Sequence, residues 1–129
     1  MTLTVEDRLE LQNLMGHYCH LMDEGDAAWA DLFTDDGILD GILPETASGK
    51  DVLRHVPAGA KQATGGFFRH HLGSMTVDPE GDGARVRGYN LVTDWSDGGK
   101  LILLARYSIF AVRTEAGWRL KRVDVQVDM

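Results

Sequence analysis

The chain is short of almost everything that staples, anchors or breaks a fold. Its 129 residues hold one cysteine, Cys19, and three prolines. A lone cysteine cannot close an internal disulfide, so covalent cross-linking is excluded and a reducing cytoplasm is the expected compartment. Basic residues are scarce, thirteen against twenty acidic, for a formal charge of −7. That balance repels phosphate backbones, and no basic stripe offsets it, so nucleic-acid binding is not expected. Long apolar runs are absent too. The longest, Leu101 to Ala105, is the length of a strand, far below the ~20 residues that span a bilayer. The first residues, Met1 to Asp7, lack the basic and apolar regions of a secretory leader.

What is present suits one ordinary globular domain over residues 1–129. Hydrophobic residues make up 43% and charged residues 26%, enough for a real core without metal or disulfide support. Thr4 followed by Asp7 reads as a capping box. After it Leu11, Leu14, Met15, Tyr18, Leu21 and Met22 recur at helical spacing, and Gly25 is a suitable stop. Asp26 can cap a shorter helix, Ala27 to Phe33, with Trp29 and Phe33 turned inward. Asp35-Asp36-Gly37 reads as a turn, and Ile38 to Leu43 as a short strand. Ser48 and Asp51 suggest a third helix ending at Pro57. Ala58 to Gly66, with its glycines, reads as a mobile flap.

Beyond Gly66 the texture becomes that of strands. Phe67 to Val77, Ala84 to Trp95, Lys100 to Arg113 and Trp118 to Val127 are separated by glycine-rich turns, which predicts consecutive hairpins. Helices first and strands after predict an α+β fold, a curved antiparallel sheet whose concave face the N-terminal helices cover. A pocket is expected between the two layers.

Strand alternation sorts the candidates for that pocket. Counted without interruption, Phe67, Arg69, His71, Gly73, Met75 and Val77 share one face, and Phe68, His70, Leu72 and Ser74 the other. Neighbouring histidines therefore point opposite ways, and at most one of them serves the cavity. Val86, Gly88, Asn90, Val92 and Asp94 form a plausible cavity wall, with Tyr107 on the inward face of the next strand. That strand, Lys100 to Arg113, is apolar on both faces, so its second face is expected to meet another subunit as a homodimer.

His17, Tyr18, Cys19, His20, Asp23, Glu24 and Asp26 crowd the end of the first helix. His17 and His20 lie a turn apart, but no further Cys or His has zinc-site spacing, so no metal and no cofactor are expected. Cys19 reads as a small buried hydrophobe.

The run Tyr18-Cys19-His20-Leu21-Met22-Asp23-Glu24-Gly25-Asp26 through Gly37 resembles the opening of SnoaL-like domains, of the nuclear transport factor 2-like superfamily. Arg69-His70-His71-Leu72-Gly73, Gly81 to Val86 and Ala116-Gly117-Trp118-Arg119-Leu120 continue the resemblance in order. It implies a cone-shaped α+β roll. Its nearest pattern is that of scytalone dehydratase-like and bile-acid 7α-dehydratase-like members, cofactor-free lyases with an aspartate late in the first helix and a histidine on the first long strand. By motif position Asp23 and His71 resemble that pair, Tyr18 a tyrosine of the bile-acid type and Asp94 a second carboxylate. The second histidine of the scytalone type has no counterpart in Leu101 to Arg106.

Together these readings predict a dehydratase-type lyase or an isomerase. Tyr18, Asp23, His71 and Asp94 are the candidate catalytic residues. Trp29, Phe33, Phe67, Met75, Asn90 and Tyr107 are expected around a hydrophobic small molecule such as a polyketide, steroid or terpenoid. A non-catalytic binding or assembly module, and an epoxide hydrolase or cyclase, are the alternatives within the same fold. Asp94 also reads as a strand-end residue, and Trp29, Phe33 and Phe67 as simple core.

Overall fold

The computed structural model describes residues 2–129. Helix α1 spans Val5–Glu24. The Thr4 hydroxyl accepts the Asp7 amide at 3.0 Å and the Asp7 carboxylate accepts the Thr4 amide at 2.8 Å, the reciprocal cap the spacing predicts. At the other end Gly25 takes the left-handed conformation (φ 68°). The Asp26 amide then reaches back to the Leu21 carbonyl at 3.0 Å, so the last carbonyls are satisfied. The buried face carries Leu11, Leu14, Met15, Tyr18, Cys19 and Met22. Asp26 caps a 3-10 turn, Ala27–Leu32, rather than a full helix.

Strands β1 (Phe33–Asp40), β2 (Ala47–Ser48), β3 (Phe68–Glu80), β4 (Gly83–Asp94), β5 (Lys100–Thr114) and β6 (Gly117–Val127) make one sheet in the order β2-β1-β6-β5-β4-β3. The pairs β3–β4, β4–β5 and β5–β6 are antiparallel, as the hairpins predict. β1 joins parallel to β6, because it arrives from the helical layer instead of a hairpin turn. Asp35-Asp36-Gly37 therefore lies within β1 and is not the expected turn. Its Gly37 amide region is tied instead to Gly49, whose N–H donates to the Gly37 carbonyl at 2.8 Å.

Between β2 and β3 the expected single helix is two short ones, α2 (Lys50–Leu53) and α3 (Val56–Ala63). Ser48 provides no cap; Gly49 precedes α2 without a side-chain bond. Pro57 does not stop a helix but sits in the first turn of α3, where its missing N–H has no helical partner to lose. Most of the predicted flap is thus helical, from Ala58 through Ala63.

One irregularity governs the face assignments. Along β3 the register passes from Gly73 opposite Tyr89 to Thr76 opposite Arg87. Two residues, Ser74 and Met75, stand against Gly88 alone, which is a β-bulge. Ser74 has φ 49°, a conformation that costs a non-glycine residue about 1–2 kcal/mol. The bulge reverses alternation. Phe68, His70 and Leu72 face the helices on one side of it, Met75 and Val77 on the other. β4 has no such break before Val92, and Ala84, Val86, Gly88, Asn90 and Val92 are buried as alternation predicts.

Asp7 ties the open end of α1 to the sheet. Beyond its bonds to Thr4 it accepts Trp118 Nε1–H at 3.1 Å and Arg113 Nη2–H at 2.5 Å. The Thr4 N–H, followed by the Trp118 N–H, holds its carboxyl below the ordinary value. Among the described residues no helix is long and apolar enough to cross a membrane.

Candidate active site

Asp23 leaves the last turn of α1 beside the start of β3. Its carboxylate accepts the His70 backbone amide at 3.1 and 3.2 Å and meets His70 Nδ1 at 2.6 Å. Each side chain keeps 10% of its exposure. The carboxylate therefore fixes both the main chain and the ring of His70. With Nδ1–H donated to it, a neutral imidazole presents its lone pair at Nε2. The ring is further held edge-to-face on Phe68, at 5.0 Å between centroids.

His70 lines an apolar cavity of about 240 Å³ between the sheet and the helices. Tyr18 and Met22 come from α1, Val56 and Ala60 from α3, Phe68 and Tyr107 from the sheet. So the segment expected as a flap forms a helical wall. Tyr18 is 2% exposed and packs on Trp29 at 5.3 Å and across Tyr107 at 6.1 Å. Burial, with Tyr107 alongside, pushes its hydroxyl well above the ordinary tyrosine value, and burial pushes Tyr107 up to about 12. Both stay protonated at neutral pH and serve as hydrogen-bond donors, not bases. Asn90 is buried beside the Tyr107 hydroxyl. Neither of its amide atoms makes a hydrogen bond of ordinary geometry within the described residues, a state that costs about 1–3 kcal/mol unless a ligand or water completes it.

Several expected residues lie elsewhere. His71 is not the partner of Asp23: the Ser74 bulge turns it to the outer face, where Nε2 meets Thr93 Oγ1 at 2.9 Å. Asp94 accepts the Ser96 amide at 2.9 Å and its hydroxyl at 2.6 Å, so it caps the turn it precedes and is absent from the cavity lining. Trp29 and Phe33 are fully buried behind Tyr18. Phe67 is exposed against Trp95. Met75 lines a separate groove with Met15 and Cys19. Burial raises the Cys19 thiol to about 11, which keeps it unreactive. The histidine that the motif match passes over is His70. The signal that could have found it is Gly73-Ser74, a small, weak-strand pair in mid-strand.

The fold, helices packed over one curved sheet, is shared with known proteins. Residues 3–124 match the SnoaL-like domain family. The chain belongs to that family. A crystal structure of an NTF2-like protein with a cystatin-like fold from Novosphingobium aromaticivorans is 30% identical, with TM-score 0.87, covering 96% of this chain and 83% of that one. A candidate aromatic ring hydroxylase from the same organism is 28% identical, with TM-score 0.79 and coverage of 99% and 93%. A candidate scytalone dehydratase, also from Novosphingobium aromaticivorans, is 20% identical, with TM-score 0.76 and coverage of 98% and 89%, and shares the fold. Comparison with curated proteins gives no match.

Proposed function

We propose that this SnoaL-like domain transfers a proton next to a carbonyl on a compact hydrophobic molecule, as a cofactor-free dehydratase-type lyase or isomerase. The observation that carries the reading is the 2.6 Å contact of His70 Nδ1 with Asp23 on the wall of an apolar cavity. His70 Nε2 takes the proton from carbon, and the Asp23 carboxylate stabilises the imidazolium that results. Tyr18 or Tyr107 donates a hydrogen bond to the carbonyl oxygen as enolate charge develops. The imidazolium then returns the proton, to a departing hydroxyl in a dehydration or to another carbon in an isomerisation. His70 thus takes the role that the family resemblance assigns to His71.

A cavity of about 240 Å³ falls below the ~300 Å³ at which ordinary ligand pockets begin. Within the expected ligand classes, that favours a one- or two-ring terpenoid or aromatic polyketide unit over a steroid. The name of the 28% identical relative, an aromatic ring hydroxylase, agrees with a ligand of aromatic-ring size. The test is exchange of α-hydrogens in compact cyclic ketones, followed by NMR in D2O. The wild type accelerates exchange and His70→Ala does not; equal rates in the two overturn the reading. Ligand binding without exchange in the wild type would make the domain a binding module. Exposed Tyr89 and Leu91 on the outer sheet face support a second copy of the chain as the partner there, and sedimentation showing only monomer would remove that part.

A further inference from the structure

His70 also lines a second space, a cleft of about 520 Å³ with several charged residues in its wall. Asp23 lines this cleft as well, and the imidazole borders both spaces. Basic groups from separate elements converge on it: His20 from α1, Lys61 from α3, and Arg69 and His71 from β3.

Lys61 and Arg69 are exposed, and each contacts neighbouring groups. The Lys61 stem runs over Gly25 and Gly66, both at positive φ; a Cβ at Gly25 would lie 2.9 Å from its Cδ and one at Gly66 3.3 Å from its Cε. Its Nζ reaches the Glu24 carbonyl at 3.4 Å. The Arg69 guanidinium lies over the Trp95 ring at 5.2 Å and donates to the Phe68 carbonyl at 2.9 Å. Neither cation forms an ion pair within the described residues, so each is open to an added anion. Of the carboxylates in the cleft, Asp23 is engaged with His70. Glu24 is exposed on the rim and opposes an anion.

We infer that the substrate is amphipathic, with a carboxylate or phosphate held in this cleft by Lys61 and Arg69 while its apolar, carbonyl-bearing part fills the cavity beyond His70. The inference rests on the proposed proton-transfer site and specifies its substrate class. An anion placed there would anchor the ligand through these cations and leave the reacting carbon on the cavity side of the imidazole.

The test uses a cyclohexanone core carrying a short tail that ends in a methyl ester, a carboxylate or a phosphate. Dissociation constants are measured by calorimetry at low salt, and α-exchange by NMR. The wild type should bind the better anionic form about fivefold to tenfold more tightly than the ester, the scale of two exposed charge contacts. Which anion binds more tightly distinguishes the two sources. Lys61→Met with Arg69→Gln, which keep the stems, should erase the preference, and Glu24→Gln should enlarge it. His70→Ala should keep the preference and lose exchange. The inference is overturned if the ester binds as tightly as both anions, if the preference survives the double variant, or if none of the three binds. Exchange of the ester without any anion preference overturns this inference alone and leaves the proton-transfer reading standing.

Discussion

Helix α1 ends in a poorly exposed carboxylate at each terminus, and the two do opposite things. Asp7 sits in the first turn, where the helix dipole favours an anion. The groups bonded to its carboxylate are fixed donors: the Thr4 amide, the Trp118 indole and the Arg113 guanidinium. Asp23 sits in the last turn, which contains no basic residue and where the dipole opposes negative charge by roughly 0.3–1 kcal/mol. Its side-chain partner is a histidine, whose own charge can change, on a cavity wall. A carboxylate saturated by permanent donors at a favourable end holds the fold. One kept at an unfavourable end beside a histidine on a cavity wall is the pair on which the proposed proton transfer rests.

Breaking the Asp23 end should cost function. His70→Ala is expected to lower ketone α-exchange by about 10²–10⁴, the usual worth of a general base, while circular dichroism stays unchanged. Asp23→Asn keeps acceptor geometry but removes the charge that steadies the imidazolium, and exchange should fall by a smaller factor, on the order of 10–100.

Breaking the Asp7 end should cost stability and its pH dependence instead. The folded carboxyl lies below its ordinary value of 3.8. Its contribution is therefore complete above that value and disappears as the pH falls through the folded one. Asp7→Asn should melt at lower temperature than wild type at pH 7, and the gap should narrow in melts at pH 3. A gap unchanged by acid would remove the carboxylate from the account. Exchange per folded molecule should not move. The smallest effect belongs to His71→Ala, whose Nε2 meets Thr93 Oγ1 beside the polar cleft and outside the apolar cavity: stability within about 0.5 kcal/mol in urea titration, and exchange of an uncharged ketone unaltered. Loss of exchange there would return the base to His71.

How much of this was legible follows from the range over which each feature is determined. The caps of α1 are local, and Thr4, Asp7 and Gly25 announce them. The hairpin turns are local as well, and so is alternation along β4, which places Asn90 correctly beneath the helices. The partner of Asp23 is not local. Choosing between His70 and His71 requires the phase of β3, and that phase breaks where Ser74 and Met75 face Gly88 on a neighbouring strand. A Cβ at Gly88 would lie 2.9 Å from the Gly73 carbonyl and 3.0 Å from Met75 Cγ, so the room for the bulge is written partly in β4. Pro57 misleads for a related reason: the same residue ends one helix or opens the next, and only the docking of α3 over the cavity decides.

The bulge leaves two adjacent histidines separated by nothing but register. Sliding the segment from Phe68 to Gly73 by one residue, with the bulge ironed flat, would offer His71 to Asp23 without changing a single side chain. What prevents the exchange is apolar: the slip would carry Phe68 and Leu72 out of the core and bring Arg69 in. Two side chains with no chemistry of their own thereby select which imidazole meets Asp23.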